Sequence, residues 1–222
     1  MKDYTTIQNE INIIGERLVN CNHICQGVIH DCHKGILPRC LIWEERNDED
    51  ESGCAVIGLN PGTASQEEME LYRLTPTYDQ VVRFWKNESP KIQYYKSLHD
   101  FLNQFGITGS ILWSELIKCQ NGINQVPQLQ TFRTCTNSYL NHELKNIPEE
   151  WPIFAIGREA YKALAYIYPK RIVIGIPHPT GSHGHFRKLF NDNNELLNQY
   201  KISIKTLWDE TNGQAIWLSD LK

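Results

Sequence analysis

A short apolar segment that stops at Asn-Pro-Gly constrains the fold of this chain more than any other feature. Residues 55–59 read AVIGL, which has the length and the nearly continuous hydrophobicity of a strand buried on both faces. Pro61 fixes one backbone angle and removes a hydrogen-bond donor, whereas Gly62 allows a turn or a close approach. The sequence therefore predicts that Asn60 is held at the carboxyl end of a buried strand, where open α/β sheets bind ligands.

Three further apolar runs of similar length lie at residues 109–113, 152–156 and 171–176. Segments with helical spacing of apolar residues separate them, and alternation of this kind is typical of a parallel sheet covered by helices. We therefore expect an α/β fold, a three-layer α/β/α sandwich around a four-stranded, mainly parallel sheet. One domain would span residues 1–222, with an N-terminal helix and a cysteine-rich segment, residues 1–45, packed on it.

Composition removes several classes of protein. The chain has a formal net charge of −4, which argues mildly against nonspecific binding of nucleic acid, although a local basic face stays possible. No apolar stretch approaches the roughly 18 residues of a membrane-spanning helix, and the first residues lack the pattern of a signal peptide. The glycine motifs GxGxxG and GxxxxGK[ST] are absent, so we expect no nucleotide cofactor. The sequence thus predicts a cytoplasmic monomer that does not bind membranes.

The seven cysteines leave two readings open. Disulfides are disfavoured in the cytosol, so the cysteines either bind a metal or are simply buried. Cys40, in an apolar segment, and Cys54, which opens the central strand, are expected to be buried thiols.

Several short motifs together resemble the uracil-DNA glycosylase superfamily. They are GLNPG at 58–62, LIKC at 116–119, Cys135, AIGREA at 155–160 and HPTGS at 178–182, so that the resemblance covers about residues 25 to 190. GLNPG is similar to the first motif of the mismatch-specific and single-strand-selective branches. HPTGS is similar to the second motif, and the two follow the first and last buried strands in the family's order.

The resemblance implies catalytic roles for Asn60 and His178. Asn60 would position the attacking water, because an amide oxygen accepts hydrogen bonds but is a poor base. His178 would contact the leaving base, and Tyr72 would either stack on it or pack in the core. His183, His185 or Phe186 would fill the gap left by the flipped base. The expected substrate-binding residues are Gly58, Leu59, Pro61, Gly62, Tyr72, Ser114, Glu115, Thr180 and Ser182.

The cysteine spacing is similar to that of the iron-sulfur branch of the superfamily, in which four cysteines hold a [4Fe-4S] cluster. Cys119 and Cys135 stand 16 positions apart, as in that branch. Cys25 and Cys32 would complete the ligand set, with Cys21 as a substitute because the branch's closer CxxC spacing is absent. A zinc site that uses these cysteines, or one of the histidines at positions 23, 30 and 33, is the alternative.

One position departs from the iron-sulfur branch. That branch has an asparagine four residues before its third cysteine, where it reads the edge of uracil, and this chain has Glu115. An ionised carboxylate only accepts hydrogen bonds, so it would suit the N3 donor of uracil but repel the O4 acceptor. Glu115 therefore selects a different base edge, is protonated in a dry pocket, or points away while Ser114 contacts the base.

The leading hypothesis from sequence is a monofunctional DNA glycosylase that acts on a flipped-out, deaminated or damaged base in DNA. It would be monofunctional because neither motif contains a lysine that could form a Schiff base. The first rival is a non-catalytic iron-sulfur protein of the same fold that binds nucleic acid. The second is an unrelated α/β hydrolase with structural zinc, which the absence of a GxSxG motif disfavours.

Overall fold

The computed structural model describes residues 4–46, 53–73, 77–123, 125–180, 184–190 and 215–218. Its first element is helix α1, Tyr4–Val19, whose buried side chains Ile7, Ile11, Ile14 and Leu18 follow the helical spacing seen in the sequence. The predicted N-terminal helix is therefore present.

A mixed α/β architecture with a mainly parallel sheet confirms the predicted fold class. Within the described residues the six-stranded sheet has the order β2-β4-β3-β6-β7-β8. The prediction of four strands was therefore too low. The strands are β2 (Ile42–Glu44), β3 (Cys54–Gly58), β4 (Ile111–Glu115), β6 (Ile153–Ile156), β7 (Val173–Ile176) and β8 (Ile216–Trp217), and a separate antiparallel ribbon pairs β1 (Val28–Ile29) with β5 (Gln120–Asn121).

Helices occupy most of the segments between the strands. They are α2 (Gln66–Tyr72), α3 (Tyr78–Glu88), α4 (Gln93–Gln104), α5 (Leu129–Cys135), α6 (Asn141–Asn146), α7 (Arg158–Ile167) and α8 (His185–Phe190). A π-helical turn, Thr136–Leu140, joins α5 to α6, and 3-10 turns lie at Cys32–Lys34 and Ser89–Lys91. No helix of the described ranges is long and apolar enough to cross a membrane.

The chain forms two compact units, each assembled from three separate stretches. The first unit takes its described residues from Met1–Trp43, Gly58–Asn87 and Trp113–Pro148. In it α1 packs on α6, and the Tyr78 hydroxyl donates to the Leu41 carbonyl at 2.8 Å. This unit carries the GLNPG loop and six of the cysteines, none of which lies in a strand.

The second unit takes its described residues from Glu44–Ile57, Glu88–Leu112 and Glu149–Lys222. Here β3, β6, β7 and β8 are parallel neighbours, so their carboxyl ends lie at one edge of the sheet. Phe101 of α4 packs edge-on against Phe154 of β6 and Phe186 of α8, at ring-centroid distances of 5.5 and 6.0 Å. The GLNPG motif follows β3 in the chain, and the HPTGS motif follows β7. The prediction of a single domain stays a prediction.

Candidate functional site

The loop after β3 is anchored on both sides of Asn60. Before Asn60, the Gly58 and Leu59 carbonyls accept hydrogen bonds from Leu116 N–H and Ile117 N–H at 3.0 and 2.9 Å. These bonds extend the pairing with the β4 segment past the end of β3. These two hydrogen bonds thus fix the backbone of the two residues that precede Asn60.

After Asn60, a buried arginine and a buried glutamine hold the loop. The Arg39 guanidinium donates from Nη2 to the Gly62 carbonyl at 2.5 Å and to Gln120 Oε1 at 3.3 Å. The same Gln120 oxygen accepts from Ala64 N–H at 2.8 Å. Asn60 and Pro61 are therefore the residues that lie between two anchored stretches of backbone.

The Asn60 side chain is oriented by its own loop. Its Nδ2 group donates to the Pro61 carbonyl at 3.1 Å, and the residue is half-buried. Because the amide nitrogen is turned toward the backbone, the Oδ1 oxygen lies on the opposite side of the amide. That oxygen can accept a hydrogen bond from water and aim it.

Glu115 lies over the start of this loop. Its carboxylate occupies the space that a side chain at Gly58 would need, so a larger residue there would displace that carboxylate. The Oε2 atom is buried and has no hydrogen-bond partner among the residues that the structure describes. Burial raises the pKa of Glu115 to about 8, although the cations of Lys118 and Arg39 lower it. Of the three readings that the sequence left open for Glu115, the structure favours a neutral carboxyl group.

Ser114 points into a buried polar cluster instead of serving as an exposed contact for a base. Its hydroxyl donates to Glu143 at 2.6 Å and accepts from the Lys118 ammonium at 2.6 Å, while Lys118 and Glu143 form an ion pair at 2.8 Å. All three side chains are buried. The alternative in which Ser114 replaces Glu115 as the base contact is therefore disfavoured.

Tyr72 is a core residue in this structure. The residue is only 1% exposed, and its ring packs edge-on against Phe84 with centroids 6.1 Å apart. Stacking on a flipped base would require the ring to leave that packing. Phe186 is also buried, at 1% exposed. Its ring would have to leave the core before it could fill the gap left by a flipped base.

The second motif lies in the second unit, directly after β7. The Tyr94 and His178 rings pack with centroids 5.2 Å apart, and desolvation lowers the pKa of His178 even though part of the residue is exposed. The Thr180 N–H donates to His178 Nδ1 at 3.4 Å. A neutral imidazole that accepts at Nδ1 carries its proton on Nε2, so His178 presents a donor. Ser182 and His183 lie outside the described residues.

A cavity of about 420 Å³ in the first unit is lined by cysteines. Five contribute to its wall: Cys21, Cys25, Cys32, Cys119 and Cys135. Burial raises the pKa of Cys119 and Cys135, and the neighbouring thiols Cys21 and Cys25 raise both values further. These electrostatic effects are consistent with thiols that line one cavity.

The group of neighbouring thiols and the predicted ligand set share three of their four cysteines. Cys25, Cys119 and Cys135 belong to the group, but its fourth member is Cys21, whereas Cys32 is exposed in a 3-10 turn at the cavity wall. The cysteine spacing predicts Cys25 and Cys32 as ligands, with Cys21 only as a substitute. Cys54 is buried as predicted, whereas Cys40 is only half-buried.

Five cysteines around one cavity are a donor set that a [4Fe-4S] cluster can use. Among the described residues, no group of three or more His, Cys, Asp or Glu side chains forms a site for a metal ion. Four thiolates on one zinc must converge on one point at about 2.3 Å. The thiolates of a [4Fe-4S] cluster bind different irons and stand farther apart, around a body that needs a cavity.

The helix that carries Cys135 is distorted at this residue. The π-helical turn Thr136–Leu140 begins directly after it, and Cys135 N-caps that turn. Such turns are rare and are frequent at functional sites. The distortion supports a function for Cys135 beyond packing.

Comparison with models of known families gives no match, and no curated protein matches the chain. The resemblance to the uracil-DNA glycosylases thus depends on the sequence motifs.

The sequence motifs did not identify two residues that lie near the candidate site. Arg39 and Gln120 are each 5% exposed, and they contact each other across 81 positions of the chain. No local pattern marks such a pair, although an arginine in an apolar segment is a signal of a buried polar partner.

Proposed function

We propose that this protein is a monofunctional DNA glycosylase that hydrolyses the N-glycosidic bond of a deaminated base. The observation that carries the proposal is the orientation of Asn60, whose amide nitrogen is bound to the Pro61 carbonyl in a loop anchored on both sides. A fixed acceptor at the carboxyl end of a parallel strand is suited to aim a water molecule at a sugar.

In the proposed reaction, water attacks C1′ of the deoxyribose of a flipped-out nucleotide. The bond from C1′ to the base nitrogen breaks, and its electron pair leaves with the base. The water supplies the hydroxyl group of the abasic sugar, and its proton finally balances the charge of the released base. Asn60 Oδ1 orients the water and does not abstract its proton, because an amide is a poor base.

His178 has the role of donor to the departing base. The Thr180 N–H at 3.4 Å supports the tautomer with its proton on Nε2, and the lowered pKa favours the neutral ring at pH 7. A neutral donor stabilises negative charge as it develops on a base oxygen. No proton transfer from His178 is needed for this step.

Glu115 is assigned to the edge of the base. As a neutral carboxyl group it offers one O–H donor and one C=O acceptor, which match the O4 acceptor and the N3–H donor of uracil. The buried Oε2 atom and the pKa of about 8 support this protonation state at neutral pH. The same edge occurs in hypoxanthine, so either base suits the proposal.

A [4Fe-4S] cluster is proposed as the resident group of the cysteine-lined cavity, held by Cys21, Cys25, Cys119 and Cys135. Bound there, it would cross-link the segment after α1 with the segment after β4 and with helix α5. We assign it a structural role, and no step of base release depends on it. DNA is the proposed partner, and the cytoplasm the proposed compartment.

The test is base release from single- and double-stranded oligonucleotides that carry uracil, hypoxanthine or xanthine, with protein purified anaerobically. We expect release by the unmodified protein and a loss of at least about a hundredfold in Asn60→Ala. Asn87→Ala, which changes an exposed asparagine of α3, is the matched control and should retain full activity. Equal activity of the two variants would remove Asn60 from the mechanism.

A further inference from the structure

Arg39 has an unusual number of polar partners for a buried side chain. Besides Gly62 O and Gln120 Oε1, its Nη1 group lies 3.4 Å from the Leu37 carbonyl, and its Nε lies 3.3 Å from Glu68 Oε1. An arginine is rarely buried unless all its donors are paired. Its planar fork can hold several acceptors in fixed positions at the same time.

The partners of Arg39 are distributed along the second half of the loop that carries Asn60. The Gly62 carbonyl binds the guanidinium directly. Ala64 N–H is bound to Gln120, which itself contacts Arg39. Glu68 accepts from Ser65 N–H at 3.0 Å in a capping box at the start of α2.

The backbone around Arg39 also supports a specific placement. The Arg39 N–H donates to the Lys118 carbonyl at 2.8 Å. Cys40, the next residue, has φ 66°, which is the left-handed region that residues with a side chain avoid. The chain therefore keeps a strained conformation at the point where the guanidinium is directed toward the loop.

We propose that Arg39 is a positioning residue, which with Gln120 fixes the loop from Gly58 to Ala64 so that Asn60 holds its reactive orientation. This inference depends on the proposed glycosylase function. Arg39 orients Asn60 through its hydrogen bond to the Gly62 carbonyl and does not contact the substrate. Misplacement of Asn60 by about 1 Å would lower the rate of the chemical step by about a hundredfold.

The experiment compares Arg39→Met, Arg39→Lys and Gln120→Met with the unmodified protein on a single-stranded oligonucleotide that contains uracil. Methionine keeps an apolar stem of similar length but removes every donor. We expect kcat to fall by about a hundredfold in Arg39→Met with a much smaller change in KM. Arg39→Lys keeps the charge and a single donor nitrogen but loses the planar fork, so it should recover part of kcat.

Hydrogen exchange measured by mass spectrometry supplies a readout that does not depend on activity. Amides of residues 58–65 should exchange faster in Arg39→Met and Gln120→Met, while those of α1 stay protected. Gln120→Met keeps the inference testable if Arg39→Met does not fold. Arg83→Met is the matched control. The Arg83 side chain is 76% exposed, and it forms an ion pair with Asp79 within α3.

The outcomes separate the two proposals. If the unmodified protein releases a base but the Arg39 and Gln120 variants retain its kcat, only the positioning role is overturned. Loss of kcat with unchanged exchange at residues 58–65 would also overturn it. If no oligonucleotide loses a base in the presence of the unmodified protein, the proposed function fails and the positioning role fails with it.

Discussion

Glu115 is the residue whose surroundings differ most from those of an ordinary carboxylate. It lies at the end of a buried strand, above a glycine that leaves room for it, and one of its oxygens has no donor among the described residues. An ionised carboxylate in such a place loses hydration without gaining hydrogen bonds. The neutral form is therefore favoured, and it is the form that the proposed contact with uracil requires.

The Glu115 pKa has a consequence for stability. In the unfolded chain this carboxyl ionises near 4.5, whereas in the folded protein it ionises at about 8. Between these values the folded state binds a proton that the unfolded state has released, so the free energy of unfolding falls as pH rises through the window. Urea unfolding at several pH values should show this loss in the unmodified protein and its absence in Glu115→Gln.

The exposed Glu70→Gln is the control for that comparison, and it should follow the unmodified protein. A difference in stability between the unmodified protein and Glu115→Gln that does not vary between about pH 5 and about pH 8 would contradict the raised pKa.

At the level of elements, the end of β4 carries polar groups that serve different purposes. Glu115 faces the Gly58 segment, whereas Ser114 and Lys118 belong to the buried cluster with Glu143 of α6. Successive residues of a strand point to opposite faces, which explains why neighbours in sequence take part in different contacts. Only one of the two candidate base contacts at this strand end can therefore be used.

The Lys118–Glu143 pair should show the behaviour of a buried ion pair. Lys118→Met leaves the Glu143 carboxylate without its cation, and we expect the free energy of unfolding to fall by about 3 to 5 kcal/mol. Adding Glu143→Leu should recover most of that loss. In contrast, Lys162→Met removes an exposed partner of Glu159 and should cost at most about 1 kcal/mol. If the double variant does not regain stability, the contribution of Lys118 to stability does not come from its ion pair with Glu143.

Cys40, which precedes β2, allows a test of local strain. Cys40→Gly and Cys40→Ala both remove the thiol, but only alanine keeps a Cβ atom in the left-handed conformation. Glycine should therefore be more stable than alanine by about 1 kcal/mol in denaturant unfolding. A more stable alanine variant would indicate that the conformation is not strained.

At the level of the whole molecule, the cysteine cavity and the Asn60 loop share one short segment of the first unit. Lys118 and Gln120 flank Cys119, and both bind Arg39, the first through its carbonyl and the second through its amide oxygen. The segment that would hold a cluster is thus also the segment that supports the loop. A cluster with a purely structural role could affect base release through this connection.

The choice of ligands can be tested by iron content. Cys21→Ser should lose the cluster, whereas Cys32→Ser should retain iron, sulfide and the brown colour of the unmodified protein, because Cys32 lies outside the closely grouped thiols. Iron analysis and visible absorption after anaerobic purification measure this. Loss of iron in Cys32→Ser with retention in Cys21→Ser would restore the ligand set predicted from sequence.

The sequence predicts the parts of this fold that have local patterns. Buried parallel strands are nearly continuous apolar runs, so β3, β4, β6 and β7 were visible, whereas β8 has two residues and offers no periodicity. The turn at Asn60 was predictable from Pro61 and Gly62. The Arg39 contact was not, because it joins residues 23 positions apart that have no shared pattern.

The measurement that tests the central claim most directly is the mass of a uracil-containing oligonucleotide after incubation with cluster-loaded protein. A glycosylase exchanges the base for water, so the strand should lose the mass of one uracil molecule, gain that of one water molecule, and stay uncleaved. The Asn60→Ala protein should leave the strand unchanged. An unaltered strand with the unmodified protein, for uracil and for hypoxanthine alike, would contradict the account.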